Sequence, residues 1–213
     1  MYSATRKPPS NDVRLSKKLS WLLRHGLKKE GFQIQSDGFI KVEDLLKHPN
    51  YCRDFNMATL EKIVQQDAKQ RYTIRKNPMG YWEIRANQGH SLEEIESDKC
   101  LQLIKDVQEV PLAVHGTYYR HWQNIKTMGL KSFQRNHVHF ATSDLCSKNT
   151  SGFRSDCQIL IYLNVEKIFK ECIMKLYRSA NNVILCSGLE DGTIPTKYFL
   201  KVIDRRTGQP LDY

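Results

Sequence analysis

From position 11 the chain carries apolar residues at a helical period. Leu15, Leu19, Leu22 and Leu23 recur at three- and four-residue steps, on one side of a helix that Asn11 or Asp12 can cap and Gly26 can end. Ser36-Asp37-Gly38 is a turn signal. Residues 41–47 then predict a short helix and residues 57–67 a firmer one, with Leu60, Ile63 and Val64 on a single side. At residue 71 the period drops to two: Tyr72 and Ile74 alternate with Arg71, Thr73 and Arg75, and residues 82–85 repeat the alternation after Pro78-Met79-Gly80. That pattern predicts a β-hairpin. Three helices and a hairpin is the element order of a winged-helix module, an architecture that commonly binds nucleic acid.

Beyond residue 110 strands dominate. Segments 112–115, 137–141, 158–165, 182–186 and 198–203 read as strands, with helices at 122–128 and 166–172. The fold class is α+β. Its expected organisation is a short arm at 1–11, a winged-helix-like domain at 12–90, a locally acidic connector at 91–110 and a second domain at 111–213. The arm carries Arg6, Lys7, Pro8 and Pro9 with no apolar segment behind them, so it lacks the anatomy of a secretory signal. The longest apolar runs, such as 159–163, fall far short of the ~18 residues of a membrane helix.

Composition and charge add a division of labour. With 213 residues, 40% hydrophobic and 26% charged, the chain can bury a core, and disorder, collagen and coiled coil are excluded as descriptions of the whole. The net charge of +10 is unevenly placed: seventeen Lys and Arg face nine Asp and Glu in residues 1–90, but sixteen face fourteen thereafter. Either the first half meets a polyanion while the second does something else, or the excess only solvates the surface. The six cysteines (Cys52, Cys100, Cys146, Cys157, Cys172, Cys186) show no C-x-x-C and no close Cys/His pair. Reduced, buried thiols are expected, in a monomeric protein of the cytosol or nucleus with no metal site.

Several groups of residues are placed to carry chemistry. On the first helix Lys17, Ser20 and Arg24 share the side away from the leucines, and His25 lies on the flank of the stripe. Arg24 and His25, in the last turn, either complement the helix dipole ahead of a Gly26 cap, or form a phosphate clamp in which a guanidinium forks two oxygens beside an imidazolium. Arg71 and Arg75 fall on one face of a hairpin strand that needs polar residues in any case. Arg135, His137 and His139 alternate onto one strand face with Val138 and Phe140 on the other, a face suited neither to a core nor to plain solvation. His115-Gly116-Thr117 closes a strand where the glycine lets a ligand approach the backbone. The chain has no G-x-G-x-x-G and no G-x-x-x-x-G-K-[ST], so a dinucleotide would be held without a Rossmann turn or P-loop.

A sequence-wide resemblance joins these pieces. Leu15-Ser16-Lys17-Lys18-Leu19-Ser20-Trp21-Leu22-Leu23-Arg24-His25-Gly26, Asp37-Gly38-Phe39, Lys69-Gln70-Arg71-Tyr72, Asn87-Gln88-Gly89-His90-Ser91, His115-Gly116-Thr117, Arg135-Asn136-His137-Val138-His139 and Gly152-Phe153-Arg154-Ser155 occur in that order. Together they resemble the NAD-dependent tRNA 2′-phosphotransferase family over roughly residues 12–204. Phe140 stands where a leucine is commoner, Phe153 where methionine is commoner, and 143–150 aligns with no family segment.

The resemblance implies an amino-terminal winged-helix-like RNA-binding lobe followed by an ADP-ribosyltransferase-like NAD-binding lobe of two small β-sheets with flanking helices. It implies transfer of the internal splice-junction 2′-phosphate of ligated tRNA to NAD, through an RNA-2′-phospho-ADP-ribose intermediate and without metal. By the same resemblance Arg24, His25 and Arg71 hold the 2′-phosphate, aided by Lys17 and Ser20, and Arg135 acts mainly in the second step. His115, Gly116, Thr117, Asn136, His137, His139 and Arg154 would line the NAD site. Two other classes stay open at the level of sequence: a nucleic-acid ADP-ribosyltransferase that stops after the first step, and a non-catalytic RNA-binding module.

Overall fold

The computed structural model describes residues 11–144, 151–152, 154 and 156–213. Most of the expected arm, together with Cys146, Phe153, Ser155 and most of the unaligned 143–150 stretch, lies outside the described residues.

The first half opens with α1 (Asn11–Trp21), which runs on as a π-helical turn over Leu22–Gly26. Strand β1 (Ile40–Lys41) leads into α2 (Val42–Lys47), and α3 (Met57–Gln66) precedes the hairpin of β2 (Tyr72–Lys76) and β3 (Trp82–Ala86). The hairpin is antiparallel with Tyr72 opposite Ala86 and Lys76 opposite Trp82, and β1 joins β3 to make a three-stranded sheet. Asn56 caps α3 through its side-chain oxygen, which accepts from the Thr59 amide at 2.8 Å.

Then follow α4 (Ser97–Cys100), β4 (Gln102–Leu103), β5 (Val114–Thr117), α5 (Tyr119–Met128), β6 (Leu130–Lys131), β7 (Val138–Phe140), β8 (Ile159–Leu163), α6 (Val165–Glu171), β9 (Leu176–Arg178), β10 (Ile184–Cys186), β11 (Thr193–Ile194) and β12 (Phe199–Asp204). They form a four-stranded sheet ordered β4-β9-β10-β7, a three-stranded sheet ordered β12-β8-β5 and a two-stranded pair of β11 with β6, all antiparallel. The two larger sheets meet where Val114 bridges Ala141. The α+β class is thus observed, with more strands than periodicity predicts: β1, β4, β6 and β11 are two residues long, too short to show an alternation.

Two large hydrophobic clusters underlie most of these elements. One gathers the α1 leucines with Ile40, Leu45, Leu60 and Ile84, and the other gathers Phe140, Ile159, Ile161, Ile184 and Tyr198. The expected connector at 91–110 is packed rather than free: Leu92, Ile95 and Cys100 belong to the first cluster, while Ile104 and Val110 belong to the second.

Gly26 does not end the first helix. The chain stays helical through Leu27 (φ −54°, ψ −48°), and the stop comes at Gly31 (φ 78°). There the Phe32 amide bonds the Leu27 carbonyl at 2.9 Å and the Gly31 amide the Lys28 carbonyl at 3.2 Å, the paired bonds of a Schellman closure. Gly26 serves a different contact: a Cβ there would lie 2.5 Å from the Trp21 ring.

The alternation expected across 135–140 is also corrected. Arg135 lies in a turn before β7, its amide bonded to the Ser132 carbonyl at 3.1 Å, and Val138, His139 and Phe140 are all buried, as is His137. The strand is closed on both faces, so polar residues on it face the interior. Of the described cysteines, Cys100, Cys157 and Cys186 are buried, whereas Cys52 and Cys172 are exposed, contrary to a uniformly buried set. No described helix is long and apolar enough to cross a membrane.

Candidate active site

The π-helical turn sets the first part of the site. An α-helix advances about 100° per residue and a π turn only about 80°, so five residues wound this way lag by roughly a quarter turn. Leu27 thereby returns to the leucine stripe and is fully buried, although α winding would carry it off that face. By the same rotation Arg24 comes into line above Ser20 and His25 above Trp21, which moves His25 off the flank of the stripe. Arg24 and His25 are therefore not terminal cations capping a helix; they project from a turn well inside it, one turn before the Gly31 stop.

Around that turn positive charge converges without an equal counter-charge. Burial pulls the Arg24 guanidinium down to about 10, and Arg135 and Arg71 push the same way, against the opposing pull of Tyr72 and Asp67. Its Nε is buried without a hydrogen-bond partner. Burial lowers the Arg135 pKa, with a further push from Arg154. Burial, then Arg135 and Arg24, lower that of His25, so the neutral imidazole is favoured over the expected imidazolium. Arg71 differs, being ion-paired with Asp67, whose other oxygen accepts the Arg71 amide at 2.6 Å. A desolvated cluster of this kind is suited to an anion, since a bound dianion would relieve the repulsion and could partner the Arg24 Nε.

One short strap ties the cluster together. Between 87 and 92 the Asn87 amide donates to the Arg71 carbonyl (2.8 Å), and the Ser91 amide donates to the Arg24 carbonyl (3.0 Å). The Ser91 hydroxyl lies 2.8 Å from His25 Nδ1, and the His90 carbonyl accepts from the Asn136 amide, next to Arg135, at 2.9 Å. Gly89 passes closest: its φ of 89° is left-handed, and a Cβ there would stand 3.3 Å from Arg24 Nε. Bonds from Asn87, His90 and Ser91 thus reach Arg24, His25 and Arg71 directly and Arg135 through its neighbour Asn136.

Two hollows flank the turn. The larger, about 660 Å³, is lined by His25, His115, Gly116, Thr117, Arg135, His137, His139 and Arg154. The other, about 420 Å³, is lined by Lys17, Ser20 and Arg71 together with Ser16 and Asp67. Arg24 feels the charges of Arg71 on one side and Arg135 on the other. In the larger cleft three histidines are held neutral: burial takes His137 to about 4 and His139 well below its usual range, and lowers His115. His115 Nδ1 donates to the His139 carbonyl at 2.9 Å, leaving Nε2 as the acceptor. His137 Nε2 sits 3.0 Å from the Ser97 hydroxyl, and His139 Nε2 is buried with no partner.

Arg24 and Asn136 are the two candidates that line neither hollow; the Asn136 side-chain amide donates to the Leu92 carbonyl at 3.1 Å, a contact that fixes the Arg135 turn to the strap. Arg75 is occupied within the fold, paired with Glu83 and Asp37 and lying 3.7 Å over the Phe39 ring. Sequence reasoning assigned no role to Tyr72, whose hydroxyl lies 2.6 Å from that of Ser20 and donates to the Ser16 carbonyl at 2.7 Å. It also missed Tyr118, Arg120, His121 and Asn124, which line the larger cleft from α5. Their signal was the polar Tyr-Tyr-Arg-His run directly after His115-Gly116-Thr117. Among the described residues no group of three or more His, Cys, Asp or Glu is placed to hold a metal ion.

Known proteins are similar to the chain over most of its length. The chain is 39% identical to tRNA 2′-phosphotransferase 1 of Danio rerio over 91% of its own length and 86% of that protein's. It is 36% identical to tRNA 2′-phosphotransferase 1 of Homo sapiens over 94% of the chain and 79% of the relative, and 34% identical to tRNA 2′-phosphotransferase of Saccharomyces cerevisiae over 90% and 84%. Residues 10–188 match the pattern of a single family, and with the cationic cluster and the motifs that build it on that stretch, the chain belongs to the RNA 2′-phosphotransferase, Tpt1 / KptA family.

Proposed function

We propose that this RNA 2′-phosphotransferase moves the splice-junction 2′-phosphate of ligated tRNA onto NAD, with the phosphate at the Arg24 cluster and NAD in the larger cleft. The observation that carries the reading is Arg24: a buried guanidinium with an unpartnered Nε, set between two other arginines. Substrate phosphate completes it. The cleft suits a dinucleotide in size, and the unpartnered His139 Nε2 and the acceptor Nε2 of His115 offer polar contacts in an otherwise enclosed wall. His115, Gly116, Thr117, His137, His139 and Arg154 would contact NAD there, while Asn136 would act through the loop it anchors. Lys17 and Ser20 would meet the RNA around its phosphate.

In the first step a 2′-phosphate oxygen bonds to the anomeric carbon of the nicotinamide riboside, and the carbon–nitrogen bond breaks with its electron pair leaving on nicotinamide. Arg24, His25 and Arg71 hold the nucleophile in line, which is the main demand of a reaction with a charged nucleophile and a good leaving group. In the second step ribose O2″ gives up its proton and bonds to phosphorus. The bond to the RNA 2′-oxygen breaks, that oxygen takes a proton, and ADP-ribose 1″,2″-cyclic phosphate departs. Arg135 faces the charge that gathers on the phosphoryl oxygens in this step.

The separate hydrophobic clusters support two lobes, a winged-helix-like one at 12–90 and an ADP-ribosyltransferase-like one at 111–213. Incubating a short 2′-phosphorylated RNA with NAD tests the reading. Conversion to RNA with a 2′-OH and release of nicotinamide is the expected result; a stable RNA–ADP-ribose adduct, or unchanged RNA, overturns it.

A further inference from the structure

Trp21 has an unusual setting for a large apolar side chain. It is 42% exposed on a helix whose leucines are otherwise buried, and three atoms of its ring lie within 2.9 Å of where a Gly26 Cβ would be. One part of the indole therefore rests on bare backbone while the rest meets solvent. The π turn brings His25 into line above Trp21, about one helical turn or ~5 Å along the axis. Lys17, one turn before Trp21, and Lys29, beyond the π turn, are both exposed on the same basic half. An exposed indole supported from behind, beside a phosphate-binding imidazole and among lysines, has the makeup of a stacking platform for single-stranded nucleic acid, where aromatic faces take the bases and cations follow the backbone.

We propose that Trp21 stacks on a nucleobase at or next to the 2′-phosphorylated nucleotide and so sets the register of the RNA strand against Arg24 and His25. The inference rests on the reading of the Arg24 cluster as the 2′-phosphate site. The geometry explains why a glycine occupies position 26: it is not a helix stop, and it has no left-handed φ to satisfy. Its missing side chain lets the indole close on the turn that carries His25. Trp21 then governs where the strand lies, and Arg24 and His25 govern what is done to it. RNA that lacks the base loses the first without losing the second.

The test is a double-mutant cycle between protein and RNA. Trp21→Ala is expected to raise KM for a short 2′-phosphorylated RNA roughly tenfold, with KM for NAD unchanged, and Trp21→Phe to restore most of the loss where Trp21→Leu does not. On RNAs made abasic in turn at the phosphorylated nucleotide and at each neighbour, the Trp21→Ala penalty should vanish at one position. Binding is read separately in a Trp82→Phe/Trp122→Phe background, where Trp21 is the sole indole of the three in the chain and RNA should quench its fluorescence. Equal penalties on all abasic RNAs, full rescue by leucine, or absence of quenching would overturn the proposal, including a case in which the face is taken by a protein partner. Absence of turnover by the unaltered chain would instead count against the phosphotransfer reading, and quenching still reports on Trp21.

Discussion

The hydroxyl of Ser91 lies 2.8 Å from Nδ1 of His25, across 66 residues of chain. With the His25 pKa lowered by burial and by two arginines, the ring is neutral at pH 7 and one of its nitrogens must accept. A Ser91 proton donated to Nδ1 leaves Nε2–H as a donor, which is the tautomer a phosphate needs.

Replacing Ser91 by alanine should therefore lower kcat about 5- to 30-fold, the size of effect usual when a hydrogen-bonded orienting partner is lost, with little change in KM for NAD. Ser91→Thr should keep most activity. Nicotinamide release under saturating substrates measures this, and an unchanged kcat in Ser91→Ala would show that the tautomer is set elsewhere.

Arg24 makes a testable split between stability and function. It is buried, repelled by neighbours and short of a hydrogen bond, so the folded chain carries it at a cost. Arg24→Met is expected to abolish phosphate transfer while raising Tm by about 2–4 °C, the shift for ~1 kcal/mol in a domain of this size. Scanning calorimetry decides; a lower Tm would mean the guanidinium stabilises the turn.

Arg135→Ala should separate the two chemical steps. In the first, charge develops mainly on the ribose; in the second, it gathers on phosphoryl oxygens where a guanidinium is worth several orders of magnitude. The variant should accumulate an RNA–ADP-ribose band on a gel while nicotinamide is still released. Equal slowing of both, with no band, would assign Arg135 to the first step.

The buried histidines predict an acid-sensitive fold. Burial takes His90 to about 3 and His137 to about 4, below the ordinary value near 6.5 that they regain on unfolding. Between roughly pH 6.5 and 3 the unfolded chain binds more protons than the folded one, so stability is full above that window and falls as pH drops through it. Tm measured from pH 8 to 4 should decline, and His90→Gln should flatten the decline. A slope unchanged by that substitution would place the acid sensitivity on other groups.

Much of the fold was legible because its longer elements have clean periods. The α1 leucines, the α3 stripe and the alternation of β2 with β3 could each be read from spacing. The π turn could not, because one residue too many in a helical turn leaves no mark on composition, and Gly26 invited reading as a stop. Arg24, His25, Arg71 and Arg135 were singled out by type and by family resemblance. What binds them, the 87–92 strap, is irregular backbone whose bonds run to residues more than 60 positions away, from Ser91 to Arg24 and His25. Neither Ser91 nor Gly89 has a pattern of its own; each matters through the side chain it touches.

The winding of residues 22–26 has a genetic consequence. A turn with a surplus residue is what a one-codon insertion into an ordinary helix leaves behind, and deleting a codon within it would restore an uninterrupted α-helix with Leu27 still on its stripe. Such a deletant would fold with better backbone hydrogen bonding, yet its arginine and histidine would point roughly 40–60° away from their partners on the strap. The reading frame of the helix, counted in residues rather than bases, is thus part of what makes this chain an enzyme.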